Sequence, residues 1–318
     1  MTINNLRTIP FLFAMLVMVG CSTPGQRSPA TKNALPAIDA RAVTIRHGDG
    51  SGDADWNSVV ADMASSKAVL IGEMHGHELG LAVAADLFED ILTDNPLALL
   101  SMEFYERDEQ VALDDYLAGV SDRNAFLKAA SRTESNNPPG HEQMVNAAKQ
   151  AGRPVIASNA PRRYTKLART DGYEALSTLT PLQRSLFDIP PQLRTESAYH
   201  ERFYEAMGGM ASHGGDEMMK GFFRSQALWD RTMASSIARA GLLGSPVVHV
   251  VGYFHIQFGS EPGGSGLVDD LRSMYQPDDK IVTIIMLDRA DQPLVDEDLN
   301  IADYVVYVGT GDDGLDAE

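Results

Sequence analysis

The feature that most constrains the fold is a series of short apolar runs separated by helical stretches. Four of these runs are apolar on both faces: Lys67–Gly72, Leu97–Met102, Pro154–Ser158 and Pro246–Gly252. This pattern is typical of strands in a parallel sheet that helices cover on each side. The order of the runs therefore predicts an α/β fold in which strands and helices alternate.

The remaining segments extend this architecture and interrupt it once. Further strands are predicted at Ile281–Leu287 and Tyr304–Val308. Helices are predicted at 56–66, 78–93, 107–118, 141–151, 162–170 and 265–275. The region 180–241 holds a proline pair and long helical stretches without a strand, so we expect a smaller helical subdomain inserted there. The predicted fold is a mostly parallel central sheet flanked by helices, with this insertion.

Residues 1–20 have the pattern of a bacterial lipoprotein signal. Arg7 precedes the apolar run Phe11–Gly20, which is too short to span a bilayer because a transmembrane helix needs about 20 residues. Cys21, in "MVGCS", is the single cysteine and stands where a lipidated cysteine belongs. An ordinary signal peptide or a free buried cysteine is the alternative. A lipid on Cys21 predicts a protein anchored to the cell envelope, with the outer membrane favoured.

Composition divides the rest of the chain into three parts. Residues 21–42 are rich in Pro, Ser, Thr, Ala and Gly without a hydrophobic period, which predicts a tether. Residues 43–310 are predicted to form the α/β domain, which includes the helical insertion. Residues 311–318 are predicted to form a solvated acidic tail.

The charge balance and the single cysteine exclude several classes of partner. The chain has 26 Lys and Arg against 44 Asp and Glu, a net charge of −18. This balance argues against nucleic acid, which binds basic surfaces, and against electrostatic docking to anionic lipid. One cysteine excludes an intramolecular disulfide and any metal site built from cysteines. A metal cation and a mostly apolar cofactor stay compatible with the composition.

Polar side chains follow each of the four buried runs. They are Glu73 and His75 after the first run, Glu103 after the second, Asn159 and Arg162 after the third, and His255 after the fourth. In an open parallel sheet the carboxyl ends of the strands meet at one edge, where ligands bind. We therefore expect these side chains to converge on a single site.

Two carboxylates and two imidazoles in this set are suited to two kinds of chemistry. Glu73, His75, Glu103 and His255 offer oxygen and nitrogen ligands for a divalent ion such as zinc, manganese, iron or cobalt. The same groups could act as general acids or bases on water. For the two histidines, a ligand role and a structural hydrogen-bonding role are both open at this point.

Three other histidines are expected to have structural roles. His77 precedes a predicted helix and is expected to cap or flank it. His249 lies inside an apolar strand and is expected to be a core residue. His141 follows "NNPPG" near a helix start and is expected to be a turn or cap residue.

Together these segments resemble the ChaN-like haem-binding lipoproteins, which share a superfamily with Tiki, TraB-type and erythromycin-esterase-like proteins. The similar pieces are "LIGEMH", "LLSMEFYERDEQVALDDYLAG", "VIASNAPRRYTKLARTDGYEAL", "FFRSQALWDRTMASSIA" and "VVHVVGYFHIQFGSEPGGSGLVDDLR". They occur in the family's order from about Lys67 to Arg272. The resemblance implies an α/β fold with a small helical subdomain, a lipid anchor, and haem binding linked to iron uptake.

The resemblance also assigns expected roles to residues. The Gly-Glu-x-His piece matches Gly72, Glu73 and His75; the later pieces match Glu103, Asn159 to Arg162, Gly252 and His255. The family implies a homodimer that holds haem between protomers, with a tyrosine as iron ligand. Tyr164, which follows the matched "NAPRR", is the first choice for this ligand. Its rivals in the helical insertion are Tyr199, His200, Tyr204 and His213.

Two functions follow from these observations. The first is a lipid-anchored protein that binds haem for uptake or storage. The second is a hydrolase, metal-dependent or assisted by glutamate and histidine, which uses Glu73, His75, Glu103 and His255. A binding protein is preferred over an enzyme, and an inherited site without activity is the third possibility.

Overall fold

The computed structural model describes residues 40–133 and 136–309, apart from the side chains of residues 208–214. The predicted signal 1–20, the lipidation site Cys21 and the acidic tail 311–318 lie outside the described residues. So does most of the predicted tether 21–42. The side chain of His213, a rival haem ligand, lies outside them as well.

An eight-stranded sheet forms the centre of the domain. Its strands are β1 (Ile45–His47), β2 (Asp53–Ala54), β3 (Ala68–Glu73), β4 (Leu99–Glu106), β5 (Val155–Asn159), β6 (Val247–Gly252), β7 (Ile281–Leu287) and β8 (Tyr304–Tyr307). Their order across the sheet is β2-β1-β8-β7-β3-β6-β4-β5. All pairs from β8 to β5 are parallel, and β1 pairs antiparallel with β8 and β2. The predicted mostly parallel sheet is confirmed.

Helices cover both faces of this sheet. They are α1 (Trp56–Ala64), α2 (Glu78–Asp94), α3 (Gln110–Leu117), α4 (Arg123–Ala129), α5 (Pro139–Gln150), α6 (Arg162–Ser177), α7 (Pro181–Arg184), α8 (Ala198–Ala206), α9 (Gly208–Ala240) and α10 (Gly266–Arg272). The predicted α/β class is therefore confirmed. Within the described ranges, the helices are too short or too polar to cross a membrane.

Strand β3 shows why the central runs are apolar on both faces. Val69 and Ile71 pack into the core beneath α2 and α5. Leu70 points the other way and packs against α9 and α10. All three side chains are fully buried. Because successive side chains of a strand point to opposite faces, a strand between two helical layers has no polar face.

The predicted helical insertion is present as α7, α8 and α9. Its last helix, α9, also forms part of the layer that covers the sheet. Met233, Ala234 and Ile237 in its second half are fully buried against β3 and β6. Gly215, whose backbone has a φ of 71°, interrupts α9 and separates its first part from the rest of the helix. Glycine adopts this left-handed conformation without the steric cost that other residues have.

Three features of the fold differ from the predicted elements. The hairpin β1–β2 was not predicted. Its two strands, on either side of the turn-rich "GDGSG", are too short to show an apolar pattern. Helix α4 was not predicted either. Strand β4 continues to Glu106, beyond the predicted end at Met102, and its pairing with β5 shifts register between these two residues. Glu103 therefore lies in an irregularity of the strand and not at its end.

The free edge of β5 is covered by a side chain. The Gln110 amide donates to the Val155 carbonyl (2.9 Å) and accepts from the Ala157 amide (2.7 Å), as a neighbouring strand would. Exposed strand edges are templates for pairing with other chains. This contact therefore protects the side of the sheet that is closest to the candidate site.

Candidate functional site

Glu73, at the end of β3, is the centre of one half of the site. It is 4% exposed. His75 Nδ1 donates to its Oε1 at 2.9 Å, and His141 Nε2 donates to its Oε2 at 2.7 Å. Burial alone would raise the pKa of Glu73, but the two imidazole hydrogen bonds lower it to about 2. Glu73 is therefore an ionised carboxylate held between two histidines.

His141 was predicted to be a turn or cap residue, and this prediction was wrong. It lies in the first turn of α5 and is 3% exposed. Helix α5 packs so closely on α2 that Gly140 has no room for a side chain. A Cβ there would lie 2.7 Å from the Leu81 Cβ. This close approach brings the imidazole to Glu73, which is 68 residues away in sequence. The one sequence signal that could have indicated this role is the position of His141 on the buried side of a predicted helix.

Glu103 and His255 form the second half of the site. Glu103 Oε2 accepts from the Gly252 amide at 2.7 Å, and its Oε1 lies 3.6 Å from His255 Nε2. His255 Nδ1 donates to Asp230 Oδ1 at 2.5 Å. The other oxygen of Asp230 accepts from the Tyr199 hydroxyl at 2.6 Å. Asp230 was not predicted as part of the site, and Tyr199 was predicted only as a rival haem ligand. Both reach the site from the helical insertion, Asp230 from α9 and Tyr199 from α8.

The charge of His255 follows from these neighbours. Burial alone would lower its pKa, but Asp230 and Glu103 raise it to about 9. His255 is therefore an imidazolium at neutral pH. Asp230, which is fully buried, is its closest counter-ion.

The two halves meet at Gly252, the last residue of β6. A Cβ at this position would lie 3.0 Å from His75 Nε2 and 3.6 Å from Glu103 Oε2. The lack of a side chain here thus allows the two groups to approach each other. The predicted convergence of Glu73, His75, Glu103 and His255 is present in the structure.

A cleft of about 640 Å³ opens above this edge of the sheet. Glu73, His75, Glu103 and His141 lie in its lining, together with Asn159 and Arg162. His75 has 71% of its side chain exposed, so its Nε2 is accessible from the cleft. The Arg162 side chain is 87% exposed and lies 3.7 Å from Glu106. His255 is 7% exposed and lies beneath this surface.

Tyr164, the first choice for a haem ligand, lies in a different environment. Its side chain is 6% exposed and packs in a small core with Ala160, Leu176 and Phe187. The ring of Phe187 is 4.9 Å away. The structure therefore does not bring this tyrosine into the cleft with Asn159 and Arg162.

Tyr204 lies in an aromatic cluster between α8 and α9. The cluster contains Tyr199, Phe203, Met219 and Phe223, with Leu193, Tyr204, Met207, Phe222 and Phe254 packed around it. The half-buried rings of Tyr204 and His200 are 4.3 Å apart. Burial lowers the pKa of His200, so its imidazole is neutral at neutral pH.

His77 and His249, the other two histidines with predicted structural roles, do have such roles. His77 is the N-cap of α2, and its Nδ1 accepts from the Gly80 amide at 3.2 Å. His249 is fully buried, and its Nδ1 is hydrogen-bonded to the Ser101 hydroxyl at 3.0 Å. Burial lowers the pKa of His249 to about 3, which keeps it neutral.

The structure gives no support for the predicted divalent metal site. In residues 40–133 and 136–309, no group of three or more His, Cys, Asp or Glu is arranged to hold a metal ion. The nitrogen atoms nearest the carboxylates donate hydrogen bonds to them, as His75 does to Glu73 and His255 does to Asp230.

The sequence profile of the family described as "Haem-binding uptake, Tiki superfamily, ChaN" matches residues 59–271. The chain belongs to this family. The match includes both halves of the site and most of the ChaN-type α/β domain, which confirms the resemblance described above. A search for similar sequences among functionally described proteins found none.

The fold of this chain is similar to that of a solved ChaN structure. ChaN of Campylobacter jejuni, studied for cofacial haem binding, has a TM-score of 0.61 at 15% identity, over 83% of this chain and 96% of that one. The erythromycin esterase EreC has a TM-score of 0.43 at 10% identity, over 83% and 82%. The type III effector HopBA1 has a TM-score of 0.43 at 13% identity, over 85% and 97%. At these identities, the likeness to C. jejuni ChaN shows a shared fold.

The buried His255–Asp230 pair predicts a loss of stability at alkaline pH. The pKa of His255 lies above its ordinary value, so its contribution is complete below about pH 6.5 and is lost as pH rises through about 9. This amounts to about 3 kcal/mol in the free energy of unfolding. In Asp230→Asn we expect a lower pKa of His255. The free energy of unfolding, measured by urea denaturation, should then change less between pH 6 and 10.

Tyr199→Phe is the matched control for this experiment. It removes the hydroxyl that donates to Asp230 and keeps the Asp230 charge. Its stability should therefore fall with pH as in the unmodified protein. Equal pH dependence in Asp230→Asn and the unmodified protein would contradict the assignment of His255 as an imidazolium.

Proposed function

We propose that this protein binds haem for uptake or storage, at the face formed by α8 and α9. The observation that carries the proposal is membership of the haem-binding uptake family over residues 59–271. Within the fold, the aromatic cluster between these helices offers both oxygen and nitrogen donors beside an apolar surface.

The donor set at this face fits a ferric haem. Phenolate oxygen and neutral imidazole are both axial ligands of haem iron in proteins. Tyr204 and His200 supply one of each, side by side and half-buried. Partly buried Met207 and Phe222 add apolar surface against which a flat ring can pack. When bound, the haem would supply the iron and its chemistry, and the chain would supply the ligand and the apolar contacts.

Tyr204 is a better candidate for the iron ligand than Tyr164. The Tyr164 ring would have to leave its packing against Phe187 to reach any ligand. Tyr204 is already partly exposed and needs no such movement. We keep His200 as a rival ligand on this face. His213 also stays a rival, as a residue of the same helical insertion.

A haemin titration tests this proposal. We expect saturable binding with a shifted Soret band, and a fall in affinity of about tenfold or more in Tyr204→Phe, because the iron loses a charged ligand. Tyr164→Phe is the matched control and should bind as the unmodified protein does. The proposal fails if no saturable shift occurs. The ligand assignment fails if only the control variant alters the spectrum.

We also propose that the haem complex is a homodimer, as the family resemblance implies. A ligand on a surface face of each protomer would allow two copies to enclose haem between them. Sedimentation of the same samples with and without haemin tests this point. A complex that stays at the mass of one chain would contradict it.

We further propose that the protein is exported and anchored at the outer membrane through a lipid on Cys21. The support is the sequence: Arg7, a short apolar run and a single cysteine after Gly20. In cells labelled with radioactive palmitate, we expect the protein to carry label and Cys21→Ser to carry none. Label that persists in this variant would contradict the assignment, since the chain has no other cysteine.

A second function, hydrolysis, is favoured by the Glu73–His75 pair. A buried carboxylate fixes His75 Nδ1, and the other ring nitrogen faces the cleft. This arrangement suits a general base that takes a proton from water. The hydrogen bond to Glu73 raises the pKa of His75, so its basic form is populated at a higher pH than that of an ordinary histidine.

A panel of carboxylic esters and peptides tests the second function. If it is correct, His75→Ala and Glu73→Gln lower kcat/KM by about a hundredfold or more. His77→Ala is the matched control, because His77 caps α2 and does not line the cleft. Metal analysis of protein purified without chelator shows whether an ion takes part. Activity that survives Glu73→Gln would exclude the proposed mechanism.

A further inference from the structure

The edge of the sheet opposite the cleft carries an exposed group of leucines. Leu242 and Leu243 lie in the turn between α9 and β6, and Leu97 lies just before β4. Their exposed fractions are 87%, 62% and 62%. They account for half of the strongly exposed large hydrophobic side chains in the described ranges. We call these three residues the leucine edge.

Backbone packing brings the two segments of the leucine edge together. A Cβ on Gly244 would lie 2.3 Å from the Leu97 carbonyl oxygen, so the turn after α9 lies directly against the segment before β4. The Leu99 amide also donates to the Pro246 carbonyl at 3.1 Å. Exposed apolar side chains on neighbouring segments are typical of an interaction site, whereas singly scattered ones are not.

Two cations lie beside these leucines. Arg153 donates from Nη2 to the Leu97 carbonyl at 2.7 Å and from Nε to the Ala98 carbonyl at 2.9 Å. A Cβ on Gly241 would lie 3.6 Å from Lys67 Cε. In the part of the chain that the structure describes, neither cation has a carboxylate within ion-pair distance. Neither charge is therefore neutralised by a carboxylate of the described residues, although Arg153 spends two of its donors on backbone carbonyls.

We propose that the leucine edge docks onto a phospholipid bilayer, with its side chains in the interfacial layer. Apolar side chains beside cations are the pattern that peripheral proteins use at a membrane surface. The chain as a whole has a net charge of −18, and Asp94 and Asp278 are exposed at the same edge. Apolar contact, and not attraction to anionic lipid, must therefore supply most of the affinity.

The position at which the chain enters the fold agrees with this orientation. Arg41 pairs with Asp90 at 2.8 Å, near the end of α2. Helix α2 ends at Asp94, shortly before Leu97. Arg41 also pairs with Asp86 at 2.9 Å, so the described chain begins beside the second half of α2. This step rests on the proposed lipid anchor, whereas the surface itself does not.

Docking by the leucine edge would direct the cleft away from the membrane. The leucines precede the parallel strands β4 and β6, and Glu73, Glu103 and Gly252 lie toward the other ends of β3, β4 and β6. The cleft would then open toward the aqueous compartment, where a soluble ligand arrives.

Vesicle cosedimentation tests the proposal. The protein is the chain from residue 21 with Cys21→Ser, which contains every described residue and carries no lipid. The vesicles are phosphatidylcholine, with and without phosphatidylglycerol. We expect binding to both, and a partition coefficient that falls about tenfold or more in the double variant Leu242→Glu, Leu243→Glu, because charged side chains resist entry into the interface.

Val111→Glu is the matched control, since it places the same charge at a position that is 72% exposed at the start of α3. It should bind vesicles as the unmodified protein does. Absence of vesicle binding by the unmodified protein, or unchanged binding by the double variant, would overturn the proposal. Binding that requires phosphatidylglycerol and vanishes in high salt would overturn it as well.

A second copy of the chain is the main rival occupant of the leucine edge. Sedimentation velocity without vesicles distinguishes it: a dimer that the double variant disperses assigns the edge to self-association and overturns membrane docking. Haemin titration of the same samples keeps this result separate from the proposed haem function. We expect the double variant to bind haemin normally, because its substitutions lie outside the α8–α9 cluster.

Discussion

The buried carboxylate of Glu73 is the constraint on which the arrangement of the site depends. A charge removed from water at the end of a buried strand is costly unless hydrogen bonds and opposite charges surround it. His75 satisfies one oxygen from the adjacent turn, and His141 satisfies the other from α5. The position of α5 on α2 is therefore tied to the chemistry at the end of β3, because moving this helix would leave one oxygen of Glu73 without a partner.

The two halves of the site come from opposite faces of the sheet. Side chains alternate along a strand, so Glu73 points with Ile71 toward α2 and α5, whereas Glu103 points with Ser101 toward α9 and α10. Glu103 consequently meets His255 and Asp230, which belong to the second helical layer. Gly252 lies between the two halves, and its lack of a side chain allows His75 and Glu103 to approach each other.

Tyr199 connects this site to the α8–α9 face. Its hydroxyl donates to Asp230, and its ring packs in the aromatic cluster beside Phe223 and Phe254. A buried polar chain thus runs from Glu103 through His255 and Asp230 to the helix that also carries Tyr204. The strand-end cleft and the proposed haem face are different places in one continuous structure.

The sequence by itself determined the central parallel sheet, its helical layers, and the meeting of Glu73, His75, Glu103 and His255. These follow from local patterns, because apolar periodicity and residues after strands are visible over a few positions. Only the tertiary structure decided that His141 and Asp230 complete the site and that Tyr164 is packed in a core. These contacts join segments far apart in the chain, and the packing of α5, α6 and α9 on the sheet brings them about.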